Sequence, residues 1–298
     1  MDNPAALFDP PFEVIAPPRH DLPMVFNSPH SGRVYPQSFL SASKLDPHSL
    51  RKSEDCFVDE LFGGVVGYGA PLMRAHFPRA YLDLNREPYE LDPLMFSDPL
   101  PDYVNTRSVR AAGGLGTIAR IVSEAAEIYG RPLTFEEAQG RISALYLPYH
   151  RKLRALLTAT RERFGSLLMV DCHSMPSALY SGALAKSGTR PDFVLGDRYG
   201  AACSSIITDF VESFLARLGY SVVRNKPYAG GYITQAYGAP QTGTHALQIE
   251  INRALYIDEE TLEKHGGFAE LVRDLMALTS ALADALPTMF GPRAIAAE

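Results

Sequence analysis

Apolar and polar positions along the chain follow two periods, short runs of strand length set between stretches of helical spacing. The clearest run is Leu167-Leu168-Met169-Val170, which passes directly into Asp171-Cys172-His173-Ser174. Pro176 follows closely and lacks the N–H that a central strand needs. A buried strand that stops in polar residues delivers them to the rim of its sheet, where α/β proteins keep their sites. Residues 22–27 read as an earlier strand, and it runs into Ser28-Pro29-His30-Ser31-Gly32-Arg33, the same strand-then-His-Ser layout. Residues 71–75 and 79–84 read as two more strands, the second leaving through Asn85-Arg86-Glu87-Pro88. Further strands are expected at 192–197, 220–224 and 244–252. In the last of these Ala246, Gln248, Glu250 and Asn252 share one face, and Leu247, Ile249 and Ile251 the other.

Helical spacing predicts helices over 46–64, 134–164, 201–218 and 259–286. The first has Asp46 as N-cap before Pro47, a stripe of Cys56, Val58, Leu61 and Phe62, and Gly63-Gly64 as its stop. The second opens with Thr134-Phe135-Glu136-Glu137, a capping pattern with acids in the first turn, and is expected to kink at Pro148. Residues 92–116 and 225–243 are turn-rich. The second segment, with Gly230, Gly231 and the tyrosines 228, 232 and 237, reads as a mobile flap over a pocket. Residues 1–20 read as an extended arm. Strands and helices interleave throughout, which argues for a single α/β domain over 1–298 with a mostly parallel sheet.

Composition narrows the classes. With 298 residues the chain can bury one large α/β core. The net charge of −6 argues against nucleic-acid binding and a polybasic membrane role. Cys56, Cys172 and Cys203 lie far apart with no CxxC pair, which suits a reducing compartment and offers no disulfide framework. No apolar run approaches the roughly 20 residues needed to span a bilayer. The N-terminus has no basic start with an apolar core behind it. The expectation is a cytoplasmic protein, monomeric or a small homo-oligomer, acting on a small molecule.

Two strand-end histidines, His30 and His173, converge if their strands neighbour each other, and a zinc hydrolase needs about three protein ligands plus a water. The third ligand is read as Asp55, with Glu54 as the alternative. A lone loop histidine is more often a hydrogen-bonding residue, so the pairing carries the metal reading. Glu250 is a carboxylate in an apolar strand, either a general base toward metal-activated water or half of a buried ion pair with Arg253. Asn85-Arg86 suits two-point capture of a substrate carboxylate, although each residue alone reads as an ordinary turn. Tyr232 is the candidate contact from the 225–243 segment. Asp171 is placed to orient His173 or to cap a turn. His76, His150 and His245 are weaker candidates. Ser31 and Ser174 lack a GxSxG elbow, and Cys172 reads as core. Residues 114–119 match GxGxxA without the strand that a dinucleotide site requires.

Taken together, Ser28-Pro29-His30-Ser31-Gly32-Arg33, Asp83-Leu84-Asn85-Arg86, Asp171-Cys172-His173-Ser174 and Gln248-Ile249-Glu250-Ile251-Asn252-Arg253 resemble the N-formylglutamate amidohydrolases. The matching order covers about residues 25–289. That family is similar in fold to zinc carboxypeptidases and aspartoacylase-type amidohydrolases. The resemblance implies a three-layer α/β sandwich with a mostly parallel, mixed central sheet and one zinc ion. It implies hydrolysis of a small N-formyl or N-acyl amino acid, with formate and glutamate the products of the namesake reaction. It carries His30 and His173 as zinc ligands, Glu250 as general base and Arg86 as carboxylate anchor. Carboxypeptidase-like enzymes place Glu three residues after the first histidine, and here that position is Arg33. The acidic ligand therefore has to come from elsewhere, from Asp55 or Glu54. The rival readings are the same scaffold acting on another N-acyl amino acid or short peptide, and a non-catalytic binding protein for acidic metabolites.

Overall fold

Nine consecutive residues from Leu167 to Met175 form one fully buried strand, β4, and this strand sets the architecture. The computed structural model describes residues 4–122, 126–177 and 191–291. Its main sheet has the strands β1 (Phe12–Ile15), β2 (Met24–Ser28), β3 (Leu72–Ala75), β4, β5 (Phe193–Gly196), β6 (Val222–Arg224) and β7 (Thr244–Asn252). Their order is β1-β3-β2-β4-β7-β5-β6. β4 runs parallel to both β2 and β7, β5 runs parallel to β6, and β5 meets β7 antiparallel. This is the mostly parallel, mixed sheet of an α/β protein. Met24–Ser28 and all of β4 are buried, as strands covered on both faces must be.

Contacts group the chain into two compact units that interleave in sequence. One comprises Met1–Glu13, Pro29–Cys56 and Met73–Leu153, and the other Val14–Ser28, Phe57–Leu72 and Arg154–Glu298. The first is packed by aromatic rings. Phe8 meets Phe77 and Tyr81 edge-on at 5.7 and 5.5 Å, and Phe39 meets Tyr81 at 5.2 Å. The buried Arg141 guanidinium lies 4.0 Å over the Tyr81 ring and donates to Tyr81 O and Tyr129 Oη. In the second, the helices Ser205–Arg217 and Gly267–Met289 pack together, with Leu215, Leu275 and Leu282 among their buried residues. Residues 1–20, expected as a plain extended arm, hold a 3₁₀ turn at Pro4–Leu7 and the strand β1, and Phe8 is buried.

Several expected elements differ, each for a local reason. Asp46 does cap a helix, accepting from Ser49 N at 3.0 Å, but that helix covers only Pro47–Arg51. The chain then turns, Phe57 adopts φ 59°, and a second short helix, Val58–Leu61, begins. A positive φ at an aromatic residue cannot lie inside a right-handed helix, so the expected 46–64 helix is split. The split leaves Glu54 and Asp55 on a turn. Residues 79–84 are not a strand. Tyr81 N and Leu82 N both donate to Pro78 O, which closes a turn instead. The Thr134 capping box with Glu137 is present, and a π turn at Ile142–Tyr146 precedes Pro148, accommodating the missing N–H. Residues 225–243 are not a plain loop, because they contain the helix Tyr232–Tyr237 with Ile233, Thr234 and Tyr237 buried. The last helix starts at Gly267 rather than near 259, since Ile257–Asp258 and Glu263–Lys264 pair as a short antiparallel ladder. No helix among the described residues is long and apolar enough to cross a membrane.

Candidate functional site

His30 lies two residues beyond the end of β2, on a loop pressed against the backbone at His76-Phe77. A Cβ at Gly32 would fall 2.0 Å from Phe77 O, so only glycine permits this approach. Val34 N donates to His76 O at 3.0 Å and closes the loop. His30 is buried. Its Nε2 pairs with Asp83 Oδ1 at 2.8 Å, and its Nδ1 faces Asp55 Oδ2 at 3.4 Å. The backbone reinforces the second pairing, since Asp55 N donates to His30 O at 3.1 Å.

Asp83 is the fixed charge beneath His30. Burial by itself would raise its pKa, but Arg86, His30 and Arg79 outweigh burial and hold it well below the usual carboxylate range. Arg79 Nη2 donates to Asp83 Oδ2 at 2.8 Å, and Asn85 N donates to Oδ1 at 2.8 Å. A carboxylate on Nε2 fixes the ring and its tautomer and presents Nδ1 on the Asp55 side. Arg86 sits nearby with Nε on Leu115 O at 2.7 Å, Nη1 on Asn85 O at 2.8 Å and Nη2 3.6 Å from Asp83 Oδ2. Tyr146 Oη donates to Arg86 O and secures this turn. Asn85 is buried beside it. The two candidate acidic ligands part company here. Glu54 accepts from Tyr35 Oη at 2.8 Å and from Arg51 Nε at 3.2 Å, whereas Asp55 is turned to His30.

The strand-borne residues form an ordered lattice. Parallel pairing sets Asn27 beside Asp171, Asp171 beside Gln248, and His173 beside Glu250. Because alternate residues share a face, Asp171, His173, Gln248 and Glu250 lie on one side of the sheet. Asn27 Nδ2 donates to Asp171 Oδ1 at 2.8 Å, and Asp171 Oδ2 is 3.0 Å from His173 Nε2, close but not aligned as a hydrogen bond. Gln248 Nε2 donates to Glu250 Oε1 at 2.8 Å. Arg253, the alternative ion-pair partner for Glu250, donates through Nε to Ser174 Oγ at 3.1 Å. Cys172 points to the opposite face, and burial pushes its thiol well up, which suits core.

His30, Asp55 and His173 are all buried, and each offers one ligand atom that lies within 4.8 Å of the other two. Two imidazoles and a carboxylate make a group able to hold a metal ion. The remaining sequence candidates sort cleanly. Tyr232 is the first residue of its helix and is partly buried. His150 is committed to Leu84 O and the Tyr146 ring, His245 to Ser204 N and the Phe290 ring, and His76 to Pro10 O and Glu13. The GxGxxA segment follows a short helix at Val109–Ala112 rather than a strand. Asp83 and Gln248 were visible in the motifs but carried no assigned task. The available signals were the three-residue spacing from Asp83 to Arg86 and the same-face position of Gln248 beside Glu250.

The model of the N-formylglutamate amidohydrolase family matches residues 22–257, which include every candidate from His30 to Arg253. The chain belongs to this family. An N-formylglutamate deformylase of Pseudomonas putida is 30% identical over 242 residues, covering 80% of this chain and 83% of the relative. One from Pseudomonas aeruginosa is 29% identical over 255 residues, covering 83% and 87%. The crystal structure of an N-formylglutamate amidohydrolase from Ralstonia eutropha is 39% identical, covers 92% of this chain and 97% of its own, and superposes with a TM-score of 0.84. A gene product of Agrobacterium tumefaciens at 18% identity and TM-score 0.64 shares the fold.

Proposed function

We propose that the protein hydrolyses N-formyl-L-glutamate to formate and L-glutamate, using a zinc ion held by His30, Asp55 and His173. The observation that carries this reading is the buried His–Asp–His group with a strand carboxylate, Glu250, in register beside His173. The donor set fits zinc, which takes three protein ligands of this kind in catalytic sites and keeps a further position open. Such an ion would lower the pKa of a bound water and polarise the formyl carbonyl. The chain's own residues do the rest. Asp83 holds the His30 ring, and Asp171, anchored by Asn27, stands against His173. Glu250 takes a proton from the attacking water and returns it to the departing nitrogen. Arg86 and Asn85 bind a substrate carboxylate, and Tyr232 contacts the bound amino acid. Asp55 is preferred to Glu54 as ligand because Glu54 is committed to Tyr35 and Arg51.

The whole chain is read as one functional domain. Each compact unit is assembled from three separated segments, and neither is a contiguous stretch that could be cut out. A substrate panel tests the reaction. Formate release from N-formylglutamate should exceed release from N-formyl derivatives of neutral amino acids, and N-acetylglutamate should be hydrolysed more slowly. Equal rates across the panel would contradict recognition of an acidic amino acid, and faster cleavage of the acetyl compound would contradict the formyl assignment.

A further inference from the structure

Gln248 stands on the same face of β7 as Glu250, two residues before it, and is buried. Both ends of its side-chain amide are used. Gly231 N donates to Gln248 Oε1 at 2.8 Å, and Gln248 Nε2 donates to Glu250 Oε1 at 2.8 Å. A backbone N–H can only donate, so the amide oxygen must face Gly231 and the amide nitrogen must face the carboxylate. The orientation is therefore dictated by the network.

The anchor at Gly231 is itself rigidly placed. Gly196 is paired with Gln248 across the sheet, and a Cβ there would come 2.7 Å from Gly230 N and 2.9 Å from Ala229 C. The missing side chain is what lets the 229–231 backbone lie against this face. Arg198 N donates to Ala229 O at 2.8 Å, Gly230 takes φ 118°, and Thr234 Oγ1 donates to Gly231 O at 2.9 Å. The segment expected as a flap is tied down at its N-terminal end, and Tyr232 follows directly.

We propose that Gln248 is a positioning residue for Glu250, clamping the carboxylate to the fixed backbone of Gly231 and so setting its angle for proton transfer. This rests on the reading of Glu250 as general base. A glutamate has three side-chain torsions, and one donor on Oε1 selects the rotamer that points the carboxylate along the face shared with His173. The clamp also joins the base to Gly231, the N-cap of the Tyr232–Tyr237 helix, so displacement of that turn is transmitted to Glu250.

The test is a mutant cycle read by formate release with metal content and thermal midpoint measured in parallel. Gln248→Leu should lower kcat about 10- to 100-fold, the usual cost of losing an orienting partner, with KM changed less than about threefold and metal content kept. Gln248→Glu keeps an acceptor for Gly231 and replaces the donor to Glu250 with a repelling carboxylate, so it should lose at least as much kcat and serves as the second variant if the leucine form folds poorly. In Glu250→Asp, whose carboxylate is one methylene short of the amide, adding Gln248→Leu should cost less than about threefold more. Wild-type kcat in both Gln248 variants, or an equal loss from Gln248→Leu in the wild-type and Glu250→Asp backgrounds, overturns the proposal. Undiminished turnover in Glu250→Gln would instead overturn the base assignment and the proposal with it.

Discussion

The candidate site is built from two kinds of support. His173, Asp171, Gln248 and Glu250 stand on paired strands, where register alone decides who faces whom. His30, Asp55, Asp83 and Arg86 stand on turns, and side-chain and backbone bonds must do the same work. His30 needs Asp83 on one nitrogen, Gly32 beneath its loop and Asp55 N on its own carbonyl. The strand-borne group is placed by strand register and has little freedom. The turn-borne group is a charged network, in which Arg86, His30 and Arg79 together outweigh burial and hold the Asp83 carboxyl well below the usual range. The comparison predicts that strand residues fail one function at a time, whereas changes among the turn residues spread through the network.

The largest effect should come from the strand group. Glu250→Gln is expected to lose about 10²–10⁴-fold in kcat, the range for general acid–base catalysis, while its metal content by elemental analysis stays at the wild-type level. A variant that loses the metal too would break the claim that strand residues act separately. Next come the turns. Asp83→Asn removes the charge that fixes His30 and should weaken metal binding about 10- to 100-fold, measured by competition with a chelator. Asp55→Asn should weaken it further, and Glu54→Gln should leave it unchanged. Retention of metal in Asp55→Asn with loss in Glu54→Gln would exchange the two assignments.

Arg86→Lys sharpens the contrast from the substrate side. Loss of two-point capture should cost about 10- to 100-fold in kcat/KM for N-formylglutamate, as loss of a charged hydrogen bond does. Because Arg86 also supports Asp83, a modest fall in metal affinity should accompany it, which neither Glu250→Gln nor Gln248→Leu should show. The smallest effect is remote from both groups. Glu137→Ala breaks the capping box and should cost about 1 kcal/mol of stability with kcat unchanged. Its carboxyl is held at about 2 rather than 4.5, mainly by the Arg131 hydrogen bond. A lowered folded pKa means this support is complete above the unfolded value and disappears as pH falls from about 4.5 through about 2. The stability gap between wild type and variant, followed by chemical denaturation, should therefore close over that window.

The same division explains what could be read in the sequence. The strand group was legible because alternation and an abrupt polar ending are local signals: 244–252 was placed with its faces correct, and the run from Leu167 was read as a strand, although it continues through Asp171 and His173 to Met175 instead of stopping at them. The turn group was legible only as motifs. Residues 79–84 have the apolar content of a strand, and Ala80, Tyr81, Leu82 and Leu84 are indeed buried, but Pro78 O captures two N–H groups and makes a turn. Nothing in local pattern announces that capture. Likewise the stripe from Cys56 to Phe62 suggested one helix, and the left-handed Phe57 that breaks it and frees Asp55 to meet His30 is a tertiary effect. Gln248 was placed on the right face, yet its task depends on a glycine pair, Gly196 and Gly230, distant in sequence.

On the proposed function, hydrolysis of N-formylglutamate depends on a metal held by His30, Asp55 and His173. Formate release by protein stripped with a chelator, before and after zinc is restored, tests it most directly. Turnover should be lost on stripping, regained as zinc approaches one per chain, and not regained in His173→Ala. Undiminished formate release from protein verified as metal-free would contradict it.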